Sequence, residues 1–283
     1  MRKLVGLIVL LALAAVVSAG PVFTDGLSCY LSFDTSADLG HDSSGLGNDG
    51  VAHGDVSAAG GKYGGGVNFG GTEGTASFDP LTGTFDGPTM GSWFDMDGAN
   101  FNGIPTSATT IAVWTKVNDL SHHNAIFSTL ADDPGPDPPT WTWTPHFEIR
   151  ADGIRTTLRG FNMVGITDGD RRGGAPAVDE WVHYALTYDK AAITATLYIN
   201  GNPIDVPVSS AIDLASNFYY GANIGCNVDD RRNFTGGMDE FYLYSRALTG
   251  AEILDLKNNV PEPATLVMLG LGGIALIRKR KSC

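Results

Sequence analysis

From Leu27 to Tyr244, apolar and β-branched residues recur in short runs separated by turn residues. The runs are Leu27 to Phe33, Gly66 to Phe69, Thr109 to Val117, Ala125 to Leu130, His146 to Ile149, Gly153 to Arg159, Trp181 to Tyr188, Ala195 to Ile199, Phe218 to Ile224 and Met238 to Tyr244. Short alternating runs bounded by Gly, Asn and Asp are strand signals. Asn200-Gly201 predicts a tight hairpin, because both residues tolerate positive φ. Asp152-Gly153 predicts another, and Thr187 to Lys190 leads into a third bend. One helix stands out, with Thr249 as N-cap, Glu252 three residues on, and Ile253, Leu254 and Leu256 as its apolar face. The pattern predicts an all-β, two-sheet antiparallel sandwich with a short C-terminal helix. Two stretches break the rhythm: 80–106 has few strand signals, and 132–145 is proline-rich.

The two ends carry a different pattern. Arg2-Lys3, the apolar run Leu4 to Val17 and the small residues Val17-Ser18-Ala19 predict a secretory leader over residues 1–20. At the other end, Pro261-Glu262-Pro263 precedes an apolar stretch, Ala264 to Ile277, and a basic cluster, Arg278 to Lys281. Basic residues stay on the cytoplasmic side of a membrane, which places residues 21–260 on the far side. This order resembles the PEP-CTERM sorting signal of bacteria. The resemblance implies an exosortase partner, transient membrane contact through the tail, and export to the cell surface or extracellular matrix.

Composition narrows the picture. Only 17% of residues are charged, and Gly reaches 37 of 283, which does not fit a coiled coil or long helical bundle. The 43% hydrophobic content argues against disorder. Two basic residues leave with the leader, and four basic residues and Glu262 with the tail. Residues 21–260 therefore keep 12 basic against 30 acidic, a net charge of -18. That excess repels nucleic acid, whose binders neutralise phosphates with Lys and Arg. It suits divalent cations, and it repels a densely anionic polysaccharide unless a cation bridges the two. Cys29 and Cys226 remain in this segment; an exported protein permits a disulfide between them, and two buried free thiols are the alternative.

The body resembles laminin-G-like, concanavalin A-type jelly rolls. Leu31-Ser32-Phe33-Asp34 and the turn Asp42 to Gly50 resemble the opening strand and its glycine turn. Gly64 to Gly71, Thr110 to Trp114, Glu180 to Asp189, Leu197 to Gly201 and Gly237 to Leu248 resemble the later strands in order. The 80–108 and 131–145 segments depart from the family pattern. The resemblance implies a role in recognising glycans or surface components, and it brings Asp239 near the N-terminal segment that holds Asp34 and Asp42.

Four oxygen donors, Asp34, Asp42, Asn48 and Asp239, are candidate calcium ligands, since calcium takes six to eight hard oxygens. The alternative is that Asp42 and Asn48 cap turns and Asp239 satisfies a backbone amide. For catalysis, a glycoside hydrolase needs two carboxylates about 5–10 Å apart. No E-x-D triplet occurs, Glu148 is followed by Arg150, and adjacent Asp239-Glu240 point to opposite faces on a regular strand. His122-His123 near Asp119 reads as a solvated turn or a weak metal contact. For binding, Trp141 and Trp143 share one side if extended and suit a sugar ring, while Arg171 and Arg231 sit in polar loops able to hold hydroxyls or acidic sugars. Trp114 and Trp181 read as core. The sequence thus predicts an exported, non-catalytic module that binds an extracellular polysaccharide or surface glycan. A polysaccharide-active hydrolase or lyase and a structural matrix protein with protein partners are the alternatives.

Overall fold

Runs of Val, Ile, Phe, Tyr and Thr favour extended backbone, because branched and aromatic side chains pack well on a pleated surface. A computed structural model describes residues 23–72, 77–79, 84–86, 91–96, 100–129, 145–158, 171–209, 211–214, 218, 221–227 and 232–258. The early strands are β1 (Leu27–Leu31), β2 (Val51–His53), β3 (Val56–Gly60), β4 (Gly65–Phe69), β5 (Ser77–Asp79), β6 (Thr84–Asp86) and β7 (Trp93–Met96). The middle of the chain forms β8 (Ala108–Val117), β9 (Asn124–Thr129), β10 (His146–Arg150), β11 (Gly153–Thr157) and β12 (Arg171–Arg172). Last come β13 (Val182–Asp189), β14 (Thr194–Ile199), β15 (Asn202–Val206), β16 (Ala222–Ile224), β17 (Gly236–Tyr244) and helix α1 (Gly250–Asn258).

Two large antiparallel sheets result, with β5 and β6 forming a separate two-stranded one. The larger has eight strands in the order β15-β14-β13-β8-β17-β4-β3, with β1 also paired to β17; the smaller has seven, β12-β11-β10-β9-β16-β7-β2. Their apolar faces share one core, with Leu31, Val113, Leu186 and Phe241 from one sheet and Phe94, Phe127, Phe147 and Ile224 from the other. A second, smaller cluster covers the outer face of the larger sheet, where Tyr30, Tyr242, Tyr244 and Tyr198 lie with Ile253 and Leu256 of α1.

The predicted sandwich and helix are both present. Asn200 (φ 51°) and Gly201 (φ 82°) turn the β14–β15 hairpin as anticipated. The β10–β11 loop is Ala151-Asp152, with Arg150 paired to Gly153. Thr249 and Glu252 form a reciprocal cap: the Thr249 N–H donates to Glu252 Oε2 at 2.8 Å, and the Glu252 N–H to Thr249 Oγ1 at 3.3 Å. Thr249→Ala should cost about 1 kcal/mol, read as a melting temperature lower by ~2–4 °C. Three readings need correction. Leu254 is 43% exposed, so the helix buries only Ile253 and Leu256 of the three. The 80–106 stretch holds β7, a strand between β16 and β2 whose Trp93, Phe94 and Met96 are buried. Trp114 is buried as expected, at 4% exposure, but Trp181 is half-buried beside Gly237 rather than in the core.

Candidate functional site

β17 changes partner along one edge: Gly236 to Met238 pair with β4, and Phe241 to Tyr244 pair with β1. At the change the register against β8 slips between Asp239 and Tyr242, and Glu240 adopts φ 54°. This bulge resets the alternation. Met238 and Phe241 face the inter-sheet core, so Asp239 and Glu240 both turn outward, contrary to the opposite faces that a regular strand would give. Both are nevertheless covered, at 0% and 2% exposure. The β3–β4 hairpin lies over Asp239, whose Oδ2 accepts the Tyr63 N–H at 2.9 Å. Glu240 Oε2 accepts the hydroxyls of Tyr30 (2.9 Å) and Tyr242 (2.6 Å), whose rings stack at 4.5 Å. Burial, with the charges of Glu240 and Asp34, pushes the Asp239 carboxyl up to about 8, against the pull of the Tyr63 and Lys62 amides. Burial and Asp34 push Glu240 up to about 7, against its two tyrosine hydroxyls. Such carboxyls have the proton affinity of a general acid, but they are sealed from any sugar. A Cβ at Gly61 would fall 1.9 Å from the Gly65 carbonyl oxygen and 2.6 Å from Asp239 Oδ2. Gly61→Ala should therefore destabilise by about 2 kcal/mol or more, since the hairpin must lift to admit the methyl; thermal unfolding measures this.

The remaining calcium candidates sit elsewhere. Asp42 spends both oxygens within its loop: Oδ1 accepts the Tyr30 and Ser44 N–H groups, and Oδ2 accepts the Asn48 N–H and the Ser44 hydroxyl. Asn48 donates to the Ser28 and Asn102 carbonyls and accepts the Asn102 N–H. The 40–50 loop thus completes the free edge of β1. Asp34 Oδ1 accepts the Gly65 N–H at 2.9 Å, close enough to Asp239 for their charges to interact. Asp42 and Asn48 thus share one loop while Asp34 and Asp239 lie at the β3–β4 hairpin, and among the described residues no group of three His, Cys, Asp or Glu side chains is placed to hold a metal. Cys29 and Cys226 are both buried thiols that form no disulfide. The predicted bridge is absent because each thiol has its own setting: Cys29 Sγ donates to the Asn48 carbonyl at 3.7 Å, and Cys226 Sγ accepts from Asn223 Nδ2 at 3.5 Å.

The other sheet holds an ionic cluster that the sequence reading passed over. Phe147 and Ile149 of β10 enter the core, so His146, Glu148 and Arg150 project from the outer face of the seven-stranded sheet. The β10–β11 register sets Arg155 opposite Glu148. Glu148, fully buried, accepts from His146 Nε2 at 2.7 Å and from Arg150 Nε, with Arg155 Nη1 at 3.4 Å and Arg232 Nε at 3.6 Å. Burial alone would raise this carboxyl; the His146 hydrogen bond and the Arg232 and Arg150 charges outweigh it and hold Glu148 well below the usual carboxylate range. Burial pushes His146 below its usual value against the pull of Glu148, and its Nδ1 has no hydrogen-bond partner among the described residues. The signal was present in sequence as His-x-Glu-x-Arg, with a two-residue turn placing Arg155 across from Glu148.

Arg150 also lines a surface groove of about 530 Å³, with His122, His123 and Asp152 among its walls. His122 is not a solvated turn residue. Its Nε2 lies 3.0 Å from both the Asn233 carbonyl and Thr235 Oγ1, and its Nδ1 3.5 Å from Asp119, joining the β8–β9 loop to the approach of β17. Of the predicted sugar contacts, Arg171 is in β12, paired with Arg155. Trp141, Trp143 and Arg231 lie outside the described residues, as do Pro261, Glu262 and Pro263.

Residues 89–254 match the Laminin_G_3 model, described as Concanavalin A-like lectin/glucanases superfamily. The chain belongs to this family. Residues 259–281 match the PEP-CTERM protein-sorting motif, which implies exosortase processing, export and sorting to the cell surface. No curated protein matches the chain. Among solved structures, domain 4 of AbnA, a GH43 extracellular arabinanase from Geobacillus stearothermophilus in complex with arabinotriose, is similar at 21% identity. It has a TM-score of 0.50, covering 82% of this chain and 98% of that one. The binding domain of botulinum neurotoxin DC in complex with SialylT is similar at 14% identity and TM-score 0.56, covering 83% of this chain and 51% of that one. The binding domain of botulinum neurotoxin serotype C1 shares 16% identity at TM-score 0.55, with 83% and 52% covered. The family member described here therefore spans about half the length of the neurotoxin binding domains. At these identities the likeness is one of fold.

Proposed function

We propose that this laminin-G-type domain is an exported, non-catalytic glycan-binding module, and that its binding face is the outer face of the seven-stranded sheet. The observation that carries this reading is Arg150, which joins the buried polar cluster of His146, Glu148 and Arg155 to the open groove walled by His122, His123 and Asp152. A face built for packing would bury apolar side chains there, as the outer face of the larger sheet does under α1. Side chains held by mutual hydrogen bonds lose little freedom when a sugar docks, which favours binding. Trp141 and Trp143, which precede β10 in sequence, are the ring-stacking candidates of this reading.

The carboxyl groups speak against hydrolysis. A general acid needs a raised pKa and access to the glycosidic oxygen. Glu148 is buried, ion-paired and held ionised, while Asp239 and Glu240 hold their protons strongly but are sealed, Asp239 under the β3–β4 hairpin and Glu240 against Tyr30 and Tyr242. The test is a polysaccharide array probed with the purified protein, alongside reducing-end analysis of each polymer it binds. Binding without new reducing ends is expected, with Trp143→Ala weakening it about tenfold, the loss expected of one removed stacking surface. Reducing ends that accumulate with time would overturn the non-catalytic reading.

A further inference from the structure

We propose that the outer edge of β3 docks a second copy of this chain, strand against antiparallel strand, joining the two eight-stranded sheets edge to edge. The proposal is independent of the glycan-binding reading and goes beyond it. An open strand edge presents backbone N–H and C=O groups to any strand that reaches it, and proteins blunt such edges with charge, proline or shortness. Three edges of the two large sheets are blunted in those ways: β15 carries Pro203 and Asp205, β12 is only Arg171-Arg172, and β2 is three residues long. The outer side of β1 is taken up by the 40–50 loop, where the Ser43 N–H donates to the Tyr30 carbonyl at 2.8 Å. β3 has none of these devices. It is Val-Ser-Ala-Ala-Gly, without charge or proline; Ser57 to Gly60 are exposed, and among the described residues β4 is its one strand neighbour.

The ladder fixes which groups face outward. In the β3–β4 pair Val56 lies opposite Phe69 and Gly60 opposite Gly65. The Gly70 N–H donates to the Asp55 carbonyl at 2.9 Å and the Gly61 N–H to the Gly64 carbonyl at 3.3 Å, so the odd-numbered residues of this strand exchange bonds with β4. Val56, Ala58 and Gly60 therefore turn their backbone groups to the open side. The Val56 N–H is spent on the Gly54 carbonyl at 3.1 Å, which leaves the Val56 carbonyl and both groups of Ala58 and Gly60. A two-fold axis through Ala58 matches this set to itself. The two Ala58 residues exchange a pair of bonds, and each Gly60 N–H meets the Val56 carbonyl of the other copy. Such a self-complementary contact closes at two copies. The same register sets Asp55 of one copy opposite Gly61 of the other and beside its Lys62. Asp55 and Lys62 are both exposed, so the opposite charges at the two ends of the strand meet across the axis. The net acidity of residues 21–260, with 12 basic against 30 acidic residues, opposes association at long range. At physiological salt that repulsion is screened beyond ~8 Å, and the contact itself is uncharged.

Sedimentation equilibrium of the purified protein at physiological salt should show a reversible monomer–dimer equilibrium with a Kd of about 1–100 μM, the weak end of interface affinities. Hydrogen exchange at low and high protein concentration locates the contact: the Ala58 and Gly60 amides should gain tenfold or more protection at the high concentration, and those of β15 should not change. Ala58→Pro removes an outward N–H without touching the β4 ladder and should raise the Kd tenfold or more. Ala59→Lys leaves the backbone intact and sets two lysines on either side of the axis, with the same expected loss. If Ala58→Pro fails to fold, Ala59→Lys and the exchange pattern decide the matter. A protein that stays monomeric at every concentration overturns the proposal, even one whose β3 edge takes an extended peptide. So does a dimer whose Kd is unmoved by Ala59→Lys, or whose concentration-dependent protection lies away from β3, as association through the apolar stretch 264–277 would give.

Discussion

Raising the pH from 6.5 to 9 should lower the melting temperature of this protein by roughly 4–8 °C, and Asp239→Asn should remove most of the decline. Burial and its acidic neighbours push the folded Asp239 carboxyl up to about 8 from an ordinary 3.8. Between those values the folded chain holds a proton that the unfolded chain has released, so stability falls as pH rises through the window. The stretch above pH 6.5 accounts for about 2 kcal/mol. Glu240, at about 7, adds to the same slope mainly at lower pH. His183 works in the opposite sense: burial lowers it to about 3 from 6.5, so its contribution is present above pH 6.5 and is lost as pH falls toward 3. The two limbs overlap between pH 4 and 6.5, which is why the alkaline side gives the clean reading. Asn at position 239 keeps an oxygen for the Tyr63 amide and cannot ionise. A melting temperature that stays level to pH 9, or an Asp239→Asn protein that declines as steeply as wild type, contradicts the assignment.

The second large effect concerns Glu148. Glu148→Gln should destabilise by about 3–5 kcal/mol, the usual cost of removing one partner from a buried ionic group. His146 and three arginines converge on this carboxylate, and the side chains of Arg150 and Arg155 are each only 12% exposed. Glutamine offers one acceptor and adds two donors where four donors already point inward. Chemical denaturation is the direct measurement, with a lower midpoint and an unchanged slope as the expected result. A change below ~1 kcal/mol would mean that the arginines find solvent or other partners readily, and that Glu148 does not hold the cluster together.

How much of this was legible in the residues differs by element. Strands such as Thr109 to Val117 and Trp181 to Tyr188 declare themselves because their inter-sheet core positions, Ile111, Val113 and Val117 and Val182, Tyr184, Leu186 and Tyr188, recur with a period of two. Others do not: the edge strand β3 is Val-Ser-Ala-Ala-Gly and mostly exposed, so no burial pattern marks it, and the short interior strand β7 is hidden within a glycine-containing stretch. The Thr249–Glu252 cap is local chemistry and is readable. The bulge at Glu240 is not, because it arises where β17 exchanges β4 for β1, a contact between the first and last strands of the domain. That one shift puts Asp239 and Glu240 on the same side. The calcium donors read from the Asp42 loop are consumed by the loop itself, since a short polar turn beside an open strand edge must first satisfy that strand's backbone. The Glu148 cluster was within reach: a hairpin register and a one-in-two alternation are enough to place His146, Glu148, Arg150 and Arg155 on one face.

The most direct test of the account is where the glycan binds. Arg155→Gln lies on the proposed face of the seven-stranded sheet, and Lys62→Ala lies on the exposed hairpin over the opposite sheet, where its ammonium sits 4.8 Å from the Trp114 ring. Array binding by the two purified variants should separate them, with Arg155→Gln losing about tenfold and Lys62→Ala binding as wild type. Binding that survives Arg155→Gln and is lost in Lys62→Ala would place the ligand on the other face and contradict the account.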